Sequence, residues 1–202
     1  MILNPEQYIY SLCVFGHRNM TFTEQDEIDL YNLFEDFIVK KRVGIFNFGG
    51  FGDFDDLAHK VATKLKEKYP FIKRVYICED YKFISRPHKR PTWIKDEDYE
   101  AFDYFDMRYT GFYQRIYFRN CEIIDHSDYC VFCVDENAEY SGAKKALEYA
   151  KRKKKEIVNI LQIVWDIQYL CYNKKNTVKW NKIYKNTTNC WANFWNKLLI
   201  LW

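Results

Sequence analysis

The apolar positions of this chain fall into short blocks that are separated by longer stretches with a helical repeat. Five apolar blocks have the length of strands and cover residues 9–15, 43–48, 75–78, 129–134 and 156–160. The helical repeat covers residues 24–41, 54–69, 117–126 and 141–155, and Thr23 can cap the first helix. This alternation predicts an α/β fold, a three-layer sandwich with helices on both faces of a mainly parallel sheet.

Two stretches depart from this alternation. Residues 80–116 are rich in aromatic and charged residues without a clear period, and we interpret them as an insertion over the site. Residues 161–202 are rich in Asn, Lys and Trp and contain neither glycine nor proline. The predicted organisation is therefore a nucleotide-binding domain over residues 1–160, followed by a helical and aromatic C-terminal tail.

Composition and charge narrow the class of protein. With 202 residues, 48% of them hydrophobic, the chain can form one α/β domain with a full core. A net charge of only +3 makes nucleic acid an unlikely partner. No apolar window is long enough for a membrane span, and no signal peptide is evident. The seven cysteines lack framework spacing, which favours reduced thiols in a cytoplasmic protein.

Cys130 and Cys133 form a C-x-x-C pair within an apolar block. Positions three apart on a strand point to opposite faces, so the pair cannot easily share a metal ion. We predict no metal site and no cofactor.

Three loops follow predicted strands at the edge where parallel sheets bind ligands. The first contains Gly16, His17 and Arg18. The glycine allows close approach, and the two side chains can donate hydrogen bonds to an anion or a base. An ordinary surface turn explains these residues equally well.

The second loop lies in "FNFGGFGDFDDLAHKVA", residues 46–62. Gly49 and Gly50 permit backbone conformations that are closed to other residues. Asp53 can cap the following helix, whereas Asp55, in its first turn, can bind ribose hydroxyls. The stretch contains neither a G-x-G-x-x-G fingerprint nor a phosphate loop.

Two further pairs of residues can bind an anion. Arg119 and Asn120 open the predicted helix that precedes the fourth strand. Ser141 and Gly142 open the helix that directly follows this strand. Small residues at a helix start can bind a phosphate, and Arg119 can contact the same phosphate. Taken singly, such an arginine is usually only solvated.

Together, these blocks resemble the SLOG superfamily of Rossmann-like nucleotide-binding domains, which includes the Smf/DprA and plant Lonely-guy proteins. The Smf/DprA pattern runs Gly-Ser-Arg, Ser-Gly-Gly-x-x-Gly-x-Asp-x-x-Ala-His, Arg-Asn-Arg and Ser-Gly-Ser. The matching blocks lie within residues 11–160 and are Gly16-His17-Arg18, Gly49-Gly50 with Asp55, Ala58 and His59, Arg119-Asn120, and Ser141-Gly142-Ala143. A closer similarity is to uncharacterised standalone SLOG proteins of Firmicutes.

The sequence also departs from the SLOG patterns. Asp53 stands where Smf/DprA has the third motif glycine, and Ala143 replaces the usual Thr or Ser. The Gly-Gly-x-Gly-Thr-x-x-Glu block of the Lonely-guy enzymes is missing, and with it their catalytic glutamate. The resemblance therefore does not imply Lonely-guy activity.

The resemblance implies binding of a nucleotide or a nucleotide-derived small molecule, as a sensor or sequestering module in bacterial or phage conflict. We expect Asp55 to face the sugar or base and Arg119, Ser141 and Gly142 to hold phosphate. The alternative is a nucleotide hydrolase acting at an N-glycosidic bond, with Asp55 or Glu139 supplying the carboxylate. A DNA-binding module is a third hypothesis, which the low net charge disfavours.

The aromatic tail also bears on assembly. Trp180, Trp191, Trp195 and Trp202 would give an isolated monomer an unusually large apolar surface. We therefore predict a homodimer with the tail at or near the interface. The alternative is that the tail folds back on its own domain.

Overall fold

The computed structural model describes residues 5–106, 111–137 and 141–161. This part of the chain forms strands and α-helices in the following order: β1 Tyr10–Gly16, α1 Glu24–Lys41, β2 Val43–Phe48, α2 Asp53–Lys68, β3 Lys73–Cys78, α3 Lys82–Ser85, β4 Ala101–Tyr104, α4 Phe112–Asp125, β5 Tyr129–Cys133, α5 Gly142–Arg152 and β6 Glu156–Asn159.

The six strands form one sheet in the order β4-β3-β2-β1-β5-β6. Every neighbouring pair is parallel. The predicted Rossmann-like α/β fold with a parallel central sheet is therefore confirmed. The strand order reverses between β1 and β5, and such a switch point leaves a crevice at the carboxyl ends of the strands.

The sheet separates two hydrophobic cores, as the alternation along β1 shows. Leu12 and Val14 pack with α1 and α2 on one face, whereas Cys13 and Phe15 pack with α4 and α5 on the other. Successive residues of a strand point to opposite faces, so a strand covered by helices on both sides is apolar throughout.

The same alternation separates Cys130 from Cys133. Cys130 belongs to the core beneath α4 and α5, and Cys133 belongs to the core beneath α1 and α2. Both thiols are free and buried. The expectation that the two residues lie on opposite faces of the sheet is met.

Local signals set the ends of α1 as the sequence predicted. The Thr23 hydroxyl accepts a hydrogen bond from the Asp26 N–H at 3.3 Å, and the Asp26 carboxylate accepts one from the Thr23 N–H at 2.7 Å. This capping box satisfies two N–H groups that would otherwise lack partners. At the other end, Arg42 adopts φ 58° and closes the helix.

Residues 80–116, in which the sequence shows no clear period, contain one strand of the sheet. Residues 101–104 form the edge strand β4, in which Ala101 pairs with Val75 of β3. The strand is only four residues long and its side chains are exposed or half-buried, so it lacks the apolar run of the inner strands. The following helix begins at Phe112 rather than at residue 117.

Residues 162–202, and with them the predicted helical tail and its role in a dimer, lie outside the described residues. Within the described part of the chain, no helix is both long and apolar enough to cross a membrane.

Candidate functional site

A cavity of about 510 Å3 opens at the carboxyl end of β2, above the first turns of α2. One wall consists of the loop residues 50–52, together with Asp55, Asp56 and His59 of α2. Ligand sites of small molecules typically have volumes of about 300–1,000 Å3. The cavity is therefore large enough for a nucleoside-sized ligand.

The opposite wall comes from the segment that precedes β4. Trp93, Ile94, Asp98 and Tyr99 line it, and Trp93 is 62% exposed. Sequence reasoning placed this segment over the site but named none of these four residues. The only sequence feature that marked this segment was the high density of aromatic and charged residues between positions 80 and 116.

The β2–α2 loop depends on its glycines. Gly50 has φ +69°, and a Cβ on it would lie 2.5 Å from Cε2 of Tyr76. Gly52 has φ +121° and precedes α2 directly. L-residues with side chains rarely adopt such angles, so these two glycines allow the chain to turn tightly beneath the cavity.

Two of the predicted site glycines, Gly49 and Gly16, lie against other protein atoms. A Cβ on Gly49 would lie 2.8 Å from Nη2 of Arg119, and one on Gly16 would lie 2.4 Å from Cβ of Phe54. Both positions therefore allow other parts of the chain to pack closely. Their predicted contact with a ligand stays a prediction.

Asp55 lies in the cavity wall and is only 7% exposed. Its Oδ1 atom is buried and has no hydrogen-bond partner among the described residues. Burial raises the pKa of Asp55 from 3.8 to about 7, although the Arg119 guanidinium and the backbone N–H groups of Gly50 and Gly49 act in the opposite direction. The carboxyl can therefore accept or donate a hydrogen bond near neutral pH.

The sequence suggested that Arg119 and Asn120 open a helix, and this prediction is wrong. Helix α4 begins seven residues earlier, at Phe112. The Arg119 side chain is 2% exposed. Its guanidinium donates to the Gly49 carbonyl at 2.9 Å and to Asn120 Oδ1 at 3.1 Å. Glu79 Oε2 lies 3.8 Å from Nη1.

These contacts make Arg119 a brace between α4 and the β2–α2 loop. It also lies 5.2 Å from the centroid of the Phe51 ring, which lines the cavity. The arginine thus stabilises the loop that forms the cavity wall. Direct contact with a phosphate, which the sequence suggested, stays a prediction.

His59 stands one turn after Asp55 on α2 and lines the same cavity. Its Nε2 lies 2.8 Å from the Asp98 carbonyl oxygen. Because a carbonyl only accepts, Nε2 carries the proton and Nδ1 of the neutral ring is unprotonated. Burial lowers the pKa of His59, which keeps the ring neutral.

The loops after β1 and β5 meet at a second cluster. The Asp135 N–H donates to His17 Nε2 at 3.0 Å, so the neutral ring carries its proton on Nδ1. Nδ1 lies 3.3 Å from Ser141 Oγ and donates to it. As predicted, Ser141 and Gly142 begin a helix, and the Ser141 hydroxyl caps it by accepting from the Lys144 N–H at 3.1 Å.

Arg18 lies between this cluster and the cavity. The side chain is exposed, and its Cζ is 5.8 Å from the centroid of the Phe51 ring. The Arg18 carbonyl accepts from the Asp53 N–H at 3.0 Å, and the Asp53 carboxylate accepts from the Met20 N–H at 2.7 Å. Asp53 therefore joins the β1 and β2 loops instead of capping α2.

The predicted site residues form two groups in the described hydrogen bonds. One group joins Gly49, Asn120 and Arg119 beneath the cavity, and the other joins His17 and Ser141. The first group lies where β2 ends, and the second lies where the neighbouring strands β1 and β5 end. Glu139, the other proposed carboxylate, lies outside the described residues.

The parallel sheet, its switch point and the loops at its carboxyl edge define a Rossmann-like α/β domain. No protein-family model matches the chain, and a comparison with curated protein sequences finds no match. Among solved structures, the chain is similar to DNA processing protein A from Helicobacter pylori, whose structure was described for its single-stranded DNA binding mode. The identity is 14% over 98% of this chain and 83% of that protein, with a TM-score of 0.50.

This similarity agrees with the Smf/DprA-type fold that the sequence motifs implied. It concerns the fold alone, and it does not bear on the closer resemblance to standalone proteins of Firmicutes. It also corrects one prediction. The low net charge led us to expect that nucleic acid is an unlikely partner. This expectation is wrong, because the DNA processing protein that is similar in fold binds single-stranded DNA. Net charge averages over the whole surface and says little about one edge of a sheet.

Proposed function

We propose that this domain binds a nucleotide or a nucleotide-derived small molecule at the carboxyl edge of its sheet. The observation that carries the proposal is the cavity beside β2, which combines aromatic walls with the buried, unpartnered Asp55 Oδ1. Aromatic faces stack on bases irrespective of their sequence. A polar atom without a partner in such a wall favours a ligand that supplies one.

The phosphate belongs outside the cavity in this proposal. Asp53, Asp55 and Asp56 all lie in the first turn of α2, and their charge repels an anion. Arg18 stands at the rim beside Phe51, and the start of α5 lies further along the same edge. A base over Asp55 and a phosphate near Arg18, directed towards Ser141 and Gly142, matches the order of β2, β1 and β5 in the sheet.

Titration calorimetry of the full chain with adenosine and AMP tests this arrangement. A charge-assisted hydrogen bond is worth about 1.5–3 kcal/mol, so AMP should bind at least about tenfold more tightly than adenosine. Arg18→Ala should remove this preference, whereas Arg152→Ala, which removes an exposed guanidinium from α5, should retain it. Absence of binding by any nucleotide at millimolar concentration would refute the proposal.

The biological role that we propose is sensing or sequestration of the ligand, which the similarity to standalone SLOG proteins suggested. A sensor returns its ligand unchanged, so the ligand recovered after long incubation should be intact. The same titration includes a single-stranded oligothymidylate, because the structural neighbour binds single-stranded DNA. Tighter binding of the oligonucleotide with a steep salt dependence would assign the edge to nucleic acid instead.

A second candidate function is hydrolysis of an N-glycosidic bond. Asp55 and His59 line one cavity, and their environments raise the pKa of the carboxyl and lower that of the imidazole. A protonated carboxyl can donate a proton to a leaving base while a neutral imidazole accepts one from water. Release of free adenine from AMP, lost in both Asp55→Asn and His59→Gln, would favour this function over simple binding.

A further inference from the structure

The cavity that we propose for the base has an acidic lining. Asp55, Asp56 and Asp98 contribute to its walls. Among the described residues that line the cavity, none is a lysine or an arginine. The charged groups that these lining residues contribute are therefore carboxylates, while the guanidinium groups of Arg18 and Arg119 lie beside the Phe51 ring.

The remaining walls offer aromatic rings. Trp93 and Tyr99 line the cavity, and most of the Trp93 side chain is accessible. The Phe51 ring already has the guanidinium groups of Arg18 and Arg119 beside it. The face of an aromatic ring is the negative end of its quadrupole and attracts cations. Rings and carboxylates thus favour the same kind of ligand, a flat group with positive charge.

Asp55 is an independent reason to expect such a group. By geometry its buried Oδ1 lacks a hydrogen-bond partner among the described residues, although the charge of Arg119 and the backbone N–H groups of Gly50 and Gly49 act on the same carboxyl. Leaving a buried carboxylate oxygen unpaired costs free energy. The charge of a cationic ring in the cavity would stabilise the ionised carboxylate, whereas a neutral ring of the same shape would not.

We infer that the cavity selects nucleotides whose ring carries a positive charge over nucleotides with a neutral ring of the same shape. The inference rests on the proposed function, since it concerns the part of a nucleotide that enters the cavity. Arg18 lies at the rim of the cavity, 5.8 Å from the Phe51 ring centroid, where it can bind the phosphate.

Nicotinamide mononucleotide offers a suitable pair of probes, because its oxidised ring is a permanent cation and its reduced ring is neutral. Calorimetry of the full chain at about pH 8, where Asp55 is ionised, should show about tenfold tighter binding of the oxidised form. AMP serves as the reference for nucleotide binding in general.

The variants separate charge from shape. Asp55→Asn should reduce the preference for the oxidised form to about twofold or less, whereas Asp29→Asn, an equal change of charge on α1, should leave it intact. Should Asp55→Asn fold poorly, Trp93→Leu at an exposed position tests the aromatic contribution and should lower the preference as well.

The outcomes distinguish the two proposals. If AMP binds and the two nicotinamide forms bind equally, the selectivity is refuted while nucleotide binding stands. If AMP and both nicotinamide forms fail to bind, both proposals fall. A preference that survives both Asp55→Asn and Trp93→Leu would refute the assignment of the cation to this cavity.

Discussion

At the scale of single residues, the Asp55 carboxyl shows how position changes chemistry. The residue is one of three aspartates in the first turn of α2, where negative charge is favourable. Only Asp55 points inward: it is buried, whereas Asp53 and Asp56 are exposed. Burial rather than helix position therefore sets its pKa, which is about 7.

Asp55→Asn is expected to alter the pH dependence of stability. The pKa of Asp55 is about 7 in the folded protein against 3.8 for an unburied carboxyl. Between these values the folded state binds the additional proton, so this group's contribution to the free energy of unfolding falls as the pH rises towards 7. The wild type should lose up to about 4 kcal/mol relative to the variant between about pH 4 and pH 8.

Urea denaturation of both proteins across this pH range measures the difference. Asp29→Asn removes a carboxylate that is exposed on α1 and should follow the wild-type profile. Parallel profiles for wild type and Asp55→Asn would show that the Asp55 carboxyl does not titrate in this window.

At the scale of elements, the site depends on how α4 holds the β2–α2 loop. Arg119 reaches the Gly49 carbonyl from α4, and Gly49 has no side chain that would obstruct it. Glu79, which follows β3 and is 3% exposed, lies within ion-pair distance. Three elements that are distant in the sequence therefore meet at one buried guanidinium.

Arg119→Met is expected to destabilise the fold before it affects any ligand. Removal of one partner from a buried ion pair leaves an uncompensated charge, here on Glu79, and costs about 3–5 kcal/mol. Glu79→Gln in the same chain should recover part of the loss, because it removes that charge. Chemical denaturation of the two single variants and the double variant gives the coupling free energy.

Arg115→Met is the matched control on α4. Arg115 is partly exposed and pairs with Asp80 at 3.3 Å, so its loss should cost less than about 1 kcal/mol. A variant at position 119 that keeps full stability and yet binds AMP more weakly would contradict the bracing role and support direct contact with phosphate.

At the scale of the whole molecule, the chain divides into a unit of residues Met1–Gln162 and a unit of residues Ile163–Trp202. All three hydrophobic clusters that the structure describes lie within the first unit. The first unit thus contains the sheet, both helical layers and the cavity.

A chain that ends at Gln162 is therefore expected to fold on its own. It should unfold cooperatively, with a melting temperature within a few degrees of that of the full chain, because no described core residue is removed. Calorimetry checks this expectation, and a loss of the cooperative transition would contradict it. Light scattering of both chains also tests the homodimer, which stays a prediction: a full-length monomer would refute it.

The sequence alone determined the layers of this protein. Thr23 and Asp26 fixed the start of α1 through a local capping box, and continuous apolar runs marked the inner strands β1, β2 and β5 because those strands are covered on both faces. The sequence also placed Gly50, Asp55 and Ser141 at the carboxyl edge of the sheet, because local patterns determine where strands end and helices begin.

Only the tertiary structure decided which of these residues meet. Arg119 is an exposed phosphate ligand or a buried brace depending on which way α4 faces, and its sequence neighbours do not fix that direction. Trp93 and Tyr99 reach the cavity because β4 pairs with β3 at the sheet edge, a contact between segments about 25 residues apart that no local period records. Burial by such distant elements also raises the pKa of Asp55, so the chemistry of the site arises from packing rather than from any single motif.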